Sequence, residues 1–181
     1  RGLGDVYKRQ ESESLATIDA GTVVTVNGLV NGWYDVTCQY GTEGYVRSDL
    51  LVLTSNATSG KGSSIVETAL SHLGTRYVYG GASAGGFDCS GFTMYVYAHF
   101  GYRMSHGASD QLYAFTRVSS AQRLPGDLVF FSYGGGDISH VGIYLGGGAF
   151  IHATSNGGVK ISYFDGYYSS TYVGAVRILA D

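Results

Sequence analysis

The chain is poor in cysteine, proline and charge: two cysteines, one proline and 14% charged residues among 181. Two thiols as far apart as Cys38 and Cys89 cannot build a disulfide scaffold. A single proline alongside 44% apolar residues excludes a proline-rich linker or a solvated, disordered chain. No block of lysine and arginine occurs and the net charge is −3, so nucleic acid is not an expected partner. No apolar run approaches the roughly 18 residues that a spanning helix needs.

Glycine (29) and tyrosine (16) are abundant instead. That balance favours β-rich structure with glycine turns. The first ten residues, RGLGDVYKRQ, show no period and read as a translated adaptor end, so 1–10 is set aside as non-native. From 11 to 53, short β-branched and aromatic runs (Thr22–Val26, Trp33–Gln39, Gly44–Val46) alternate with Asn-Gly and Gly-Thr punctuation. The spacing predicts a small barrel of hairpins, with Cys38 on the buried side of its strand beside Tyr34 and Val36. Residues 54–63, TSNATSGKGS, are small and polar and read as a linker.

The second unit runs from 64 to 181. SIVETALSHLG has apolar residues on one helical face, a Ser64–Glu67 capping box and a stop at Gly74, with His72 directed to solvent. Residues 89–100, CSGFTMYVYAHF, are apolar on nearly every face, which suits a buried central helix. Then come LPGDLVFF, ISHVGIYL, GAFIHAT, GVKISYF and YVGAVRIL, five strand-like runs. Helices followed by an antiparallel meander make this an α+β domain.

One short stretch concentrates the chemistry. In GFDCSGF, Cys89 stands at the start of the central helix, where backbone N–H groups favour an anion and lower a thiol's pKa. A buried structural cysteine at a helix start would look the same. The histidines decide between them. His140 and His152 lie on consecutive strands joined by the glycines at 146–148, and a three-residue loop makes paired residue numbers sum to 294. His152 then faces Gly142 and lies diagonal to His140 on the same side of the sheet. Cysteine, histidine and a second polar ring supply a nucleophile, a base and a group that orients the base. Zinc held by the same three residues is the rival. The paired ligands that mark such sites are missing, so no metal and no cofactor are expected. His106 is expected at the surface, and His99 at its helix's C-terminus.

With these motifs in place, GTRYVYGGASAGGFDCSGF, LPGDLVFF, SHVGIYLGGGAFIHATS and YVGAVRIL resemble, in order, the NlpC-type bacterial cell-wall cysteine peptidases. The pattern G-x-x-V-x-V, N-G-W-Y-x-V, E-G-Y-V, D-L-L resembles a bacterial SH3-like domain, clipped where the adaptor-like segment stands. The resemblance implies a papain-like core behind a small all-β barrel. It also implies a peptidoglycan endopeptidase that cuts stem peptides, typically at the D-γ-glutamyl–diamino acid bond. Cys89 would be nucleophile, His140 base and His152 the third polar residue, with Tyr77, Asp88 and Ser90 lining the pocket. Tyr77 can equally be core packing and Asp88 equally a helix cap. Arg76 and Tyr79 depart from the family's usual proline and tryptophan. A secreted, monomeric enzyme of the bacterial envelope follows from the resemblance. An inactive wall-binding module, or a cysteine amidase or acyltransferase on a related fold, are the alternatives.

Overall fold

The computed structural model describes residues 4–7, 14–18, 24–30, 33–37, 43–47, 51 and 61–179. The chain divides into two compact units, Arg1–Leu53 and Thr54–Asp181.

The first unit is a five-stranded antiparallel sheet. Its strands are β1 (Gly4–Tyr7), β2 (Ser14–Ile18), β3 (Thr25–Val30), β4 (Trp33–Thr37) and β5 (Glu43–Arg47), in the order β2-β1-β5-β4-β3. Gly4–Tyr7, within the segment read as non-native, pairs with β2 and reaches β5 at Tyr7↔Tyr45. Asn27-Gly28 was read as a turn and instead lies inside β3, at an irregularity between Val26 and Gly28, while Val30 pairs with Trp33. Two-residue periodicity puts Val36 and Val46 in the core, with Val24, Val26, Tyr34 and Leu51 packed on them. Cys38 lies outside the described residues.

The second unit begins with α1 (Lys61–Leu70), which buries Gly62, Ile65, Val66 and Ala69. This helix starts three residues before the Ser64 cap read from the sequence, within the segment read as linker. Tertiary packing sets the earlier start: Gly62 lies so close to the Pro125 carbonyl that a Cβ there would stand 2.7 Å from its oxygen. His72 was expected in solvent, yet its ring packs edge-on against Phe87 and Tyr95 at 5.4 and 5.1 Å.

A two-stranded ribbon, β6 (Ala82–Ser83) and β7 (Gly86–Phe87), leads into the central helix α2 (Cys89–Ala98). Phe92, Thr93, Val96 and Tyr97 are completely buried, and Tyr97 donates its hydroxyl proton to the Gly126 carbonyl. Helix α3 (Ala108–Ala114), strand β8 (Thr116–Val118) and a short 3-10 turn follow.

The sheet is completed by β9 (Leu128–Phe131), β10 (His140–Gly146), β11 (Ala149–Thr154), β12 (Gly158–Tyr163) and, after α4 (Gly166–Thr171), β13 (Tyr172–Arg177). All six strands pair antiparallel in the order β12-β11-β10-β9-β13-β8. β9 to β12 form the expected meander. β13 returns to the free edge of β9, and β8 was not anticipated. Val129, Phe131, Phe150 and Ala175 form a buried cluster under Phe164, Tyr168 and Tyr172. Arg123 caps these aromatics, its guanidinium 4.3 Å from the Phe164 centroid and 5.2 Å from that of Tyr172. Beneath the sheet's end, Arg177 clasps the buried Asp127 carboxylate with two 2.9 Å bonds.

Candidate active site

Cys89 is the first residue of α2. Asp88 precedes it in extended conformation as the N-cap and accepts from Gly91 N at 2.7 Å. Gly91 has to be glycine here, because a Cβ would press into the Gly81 carbonyl and the Asp88 carboxylate. The ribbon before Cys89 is thereby held against the helix start, and Asp88 N donates to the Gly81 carbonyl at 2.9 Å.

α2 packs on β10 and β11. The register read from the loop holds where it matters: Ile143↔Ile151 and Tyr144↔Phe150, relaxing to Gly146↔Ala149 at the turn. His140 and His152 consequently project from one face of the hairpin. Their rings meet edge to face with centroids 4.8 Å apart, and His140 Nε2 lies 2.5 Å from His152 Nδ1. Gly142 makes room for them, since a Cβ there would stand 2.8 Å from the Phe150 ring and 3.2 Å from His152 Cβ. The other ring nitrogen of His152, Nε2, is 3.0 Å from Ser162 Oγ on β12. Both rings are shut off from water, His140 at 6% and His152 at 0% exposure.

The Cys89 sulfur is reached by backbone N–H groups of Val141, next to His140, and of Ser90, and by the Ser90 hydroxyl. These donors favour thiolate, as expected of a helix start. Burial opposes them and is the larger effect, with the Asp88 charge adding to it, so the thiol is pushed up rather than down. Burial likewise lowers His140 to about 4. It lowers His152 to about 2, assisted by the charges of His140 and Lys160. Each group alone is therefore held neutral. A proton passing from thiol to imidazole creates two opposite charges at once and leaves the net charge of the pocket unchanged.

Tyr77, which forms an isolated bridge with Phe87, has its hydroxyl pushed up by burial and by the charges of Cys89 and Asp88. Asp88 is engaged throughout: Oδ2 accepts from Gly80 N at 2.9 Å, and Oδ1 from Gly91 N and, at 3.4 Å, from the Ser90 hydroxyl. Ser90 is buried, and its hydroxyl turns toward Asp88 and Cys89.

Four residues here escaped the sequence reading. His106, expected at the surface, is half-buried with Nε2 on both Asp88 oxygens. Gln111, 1% exposed, accepts from the Thr93 hydroxyl at 2.7 Å and donates to the Ser90 and Ser105 carbonyls at 3.0 and 2.8 Å. Ser162 and Tyr133 are the others. Single polar residues in loops and on strand edges carry no period, so only three-dimensional contact reveals them. Among the described residues no group of three or more His, Cys, Asp and Glu is arranged to hold a metal. The facing nitrogens of His140 and His152 are used on each other.

Comparison with known proteins identifies the family. The NlpC/P60 family pattern matches residues 74–177, and the Bacterial SH3 domain pattern matches 8–52. The chain belongs to the NlpC/P60 family. It is 46% identical over 104 residues to "Probable endopeptidase p60" of Listeria grayi, covering 58% of this chain and 20% of that protein. It is 36% identical over 151 residues to the gamma-D-glutamyl-L-lysine dipeptidyl-peptidase of Bacillus subtilis strain 168, covering 82% of this chain and 50% of that one. The chain thus spans a fifth to a half of the length of these relatives. Among solved structures, the NlpC/p60 domain of the peptidoglycan hydrolase SagA superposes with a TM-score of 0.59 at 38% identity, over 66% of this chain and all of that one. This NlpC/P60 chain carries no described helix long and apolar enough to cross a membrane.

Proposed function

We propose that the chain is a cysteine endopeptidase of bacterial peptidoglycan that hydrolyses stem peptides at the D-γ-glutamyl–diamino acid bond. The observation that carries the reading is the buried His140–His152 pair at 2.5 Å, beside a Cys89 sulfur that takes the N–H of Val141. The name of the Listeria relative supports an endopeptidase, and that of the Bacillus relative supports the bond class.

The proposed chemistry selects one of the two directions in which the hydrogen-bond chain can run. For His140 to keep a lone pair on Nδ1, its Nε2–H donates to His152 Nδ1, and His152 Nε2–H donates to Ser162 Oγ. His140 Nδ1 then takes the thiol proton as sulfur attacks the γ-glutamyl carbonyl carbon. The carbonyl π electrons move to oxygen, which the Cys89 backbone N–H, with the Tyr77 hydroxyl, stabilises. Collapse of this intermediate breaks the C–N bond, and His140 returns its proton to the leaving amine. Water, deprotonated by His140, attacks the thioester, and the released thiolate is reprotonated. His152 holds the plane of the base throughout. Asp88 and Ser90 shape the pocket around the stem peptide's free amino end, with Asp88 also capping α2. No cofactor enters. The enzyme works outside the membrane, in the envelope, as a monomer.

Digestion of purified sacculi tests the reading. The expected products carry new termini between D-glutamate and the diamino acid, and Cys89→Ala yields none while retaining the melting temperature. Products cut at the sugar–peptide bond, acyl groups transferred to an amine, binding without cleavage, or an active Cys89→Ala protein each overturn it.

A further inference from the structure

The base is covered by a tyrosine that the chemistry above does not use. Tyr133 lies on the loop between β9 and β10, and this loop is built rather than slack. Tyr133 N donates to Ser139 Oγ at 2.9 Å, Ser139 N to the Phe131 carbonyl at 3.0 Å, and the Ser132 hydroxyl to the Gly136 carbonyl at 3.0 Å. Ser139 adjoins His140, so one short backbone link fixes the tyrosine relative to the imidazole. The two rings stack with centroids 5.5 Å apart and planes 26° apart. Tyr133 stacks in turn with Tyr167 of α4 at 5.4 Å and 30°. Tyr168, the next residue of α4, meets His152 edge-on at 5.6 Å. Tyr133 is 40% exposed while His140 is 6% exposed, so the tyrosine forms the boundary between base and solvent.

We propose that Tyr133 is a positioning residue for His140: its ring fixes the plane of the imidazole and shields the ring face it stacks on from bulk solvent. The kinetic part of this inference rests on the thiol–imidazole reading; the structural part does not. Stacked aromatic rings gain attraction beyond burial, which favours one ring orientation over others. The Tyr133 hydroxyl is pushed up by burial, by Tyr168 and Tyr167, and by Cys89, so it stays protonated and brings no charge to the base. The groups facing His140 are His152 from β11, Tyr133 from the loop and Phe131 from β9, with Cys89 of α2 on the N–H of the neighbouring Val141 and Lys160 of β12 and Tyr168 of α4 acting beyond His152. Removing the tyrosine ring opens only the solvent side of this set.

Ring resonances of His140, followed by NMR across pH, test the stack without reference to turnover. In the unaltered protein those resonances are shifted upfield by the tyrosine ring and titrate near the value of about 4 that burial imposes. In Tyr133→Leu the upfield shift is lost, the titration moves toward 6.5, and kcat falls about tenfold or more with KM little changed. Tyr133→Phe restores the shift, the titration and most of kcat. A Tyr133→Leu protein whose His140 titrates as before overturns the inference, as does a Tyr133→Phe protein that fails to rescue. If the leucine variant does not fold, an absent upfield shift in the unaltered protein overturns it equally. An active Cys89→Ala protein removes the peptidase reading and leaves the stack standing; insensitive His140 resonances do the reverse.

Discussion

His106 Nε2 lies 2.9 and 3.0 Å from the two carboxylate oxygens of Asp88, the residue immediately before Cys89. The contact joins a loop seventeen positions downstream of the thiol to the cap of its helix. It matters because the Asp88 charge is one of the forces pushing the Cys89 thiol up. Asp88→Asn keeps a competent cap and removes that charge, so the thiol pKa falls and alkylation by iodoacetamide begins at lower pH. His106→Ala strips a partner from the carboxylate and moves the alkylation profile the other way. Asp88→Ala loses the cap as well and costs about 1–2 kcal/mol by urea denaturation. Profiles that superimpose in all three variants would separate Asp88 from the thiol.

Two neutral buried histidines make the fold sensitive to acid. His140 and His152 are lowered to about 4 and about 2 by burial, whereas an unfolded histidine titrates at 6.5. Between those values the unfolded chain binds protons that the folded chain refuses, so stability falls as pH drops below 6.5. It keeps falling through about 4 on account of His140, and toward about 2 on account of His152. Each histidine contributes a slope of up to about 1.4 kcal/mol per pH unit. Urea midpoints measured from pH 7 to pH 4.5 should decline steeply in the unaltered protein and about half as steeply in His152→Asn.

Gln111 ties α3 to the first turn of α2, just after Cys89. Replacing it with leucine removes the side-chain donor of the Ser105 carbonyl and one of two partners of the Thr93 hydroxyl and the Ser90 carbonyl, which keep the 2.8 Å bond between them. Thinning this polar network puts the cost at about 1–2 kcal/mol. Because one of those carbonyls belongs to the residue after Cys89, kcat should drop further than the loss of folded protein explains. Active-site titration of the folded fraction distinguishes the two effects.

What could be read from the chain beforehand follows from the range of the forces involved. The His140–His152 pairing was legible because a glycine loop sets hairpin register locally, and strand periodicity then fixes which face each ring takes. Asp88 as cap and Cys89 as first helical residue were legible for the same reason. The start of α1 was not: Ser64 and Glu67 form a plausible capping box, but packing of Gly62 against the Pro125 carbonyl extends the helix back to Lys61. The return of β13 to β9, which closes the sheet across α4, is a long-range choice without a local signal. The sign of the Cys89 shift also lay out of reach, since helix-start donors are visible in sequence and the depth of burial is not. His106, Gln111, Ser162 and Tyr133 each matter through a partner distant in sequence or across a loop.

The Ser162 hydroxyl ends the chain that orients the base, and its removal tests the tautomer assignment directly. In the tautomer proposed above, Ser162→Ala deprives the Nε2–H of His152 of its acceptor at 3.0 Å. An unpaired buried donor costs about 1–3 kcal/mol, and the imidazole can avoid that cost by placing its proton on Nδ1. There the proton meets His140 Nε2, which must then accept rather than donate, so the His140 proton moves to Nδ1 and the lone pair needed for the thiol is gone. The expected result is a fall in kcat of about tenfold or more with KM nearly unchanged, since no group touching substrate has been altered. Ser162→Thr keeps the hydroxyl and restores the rate. The ring-nitrogen shifts of a 15N-labelled protein provide the direct check. They should show His152 protonated on Nε2 in the unaltered chain and on Nδ1 in Ser162→Ala, and an unchanged tautomer together with an unchanged kcat would remove Ser162 from the orienting chain.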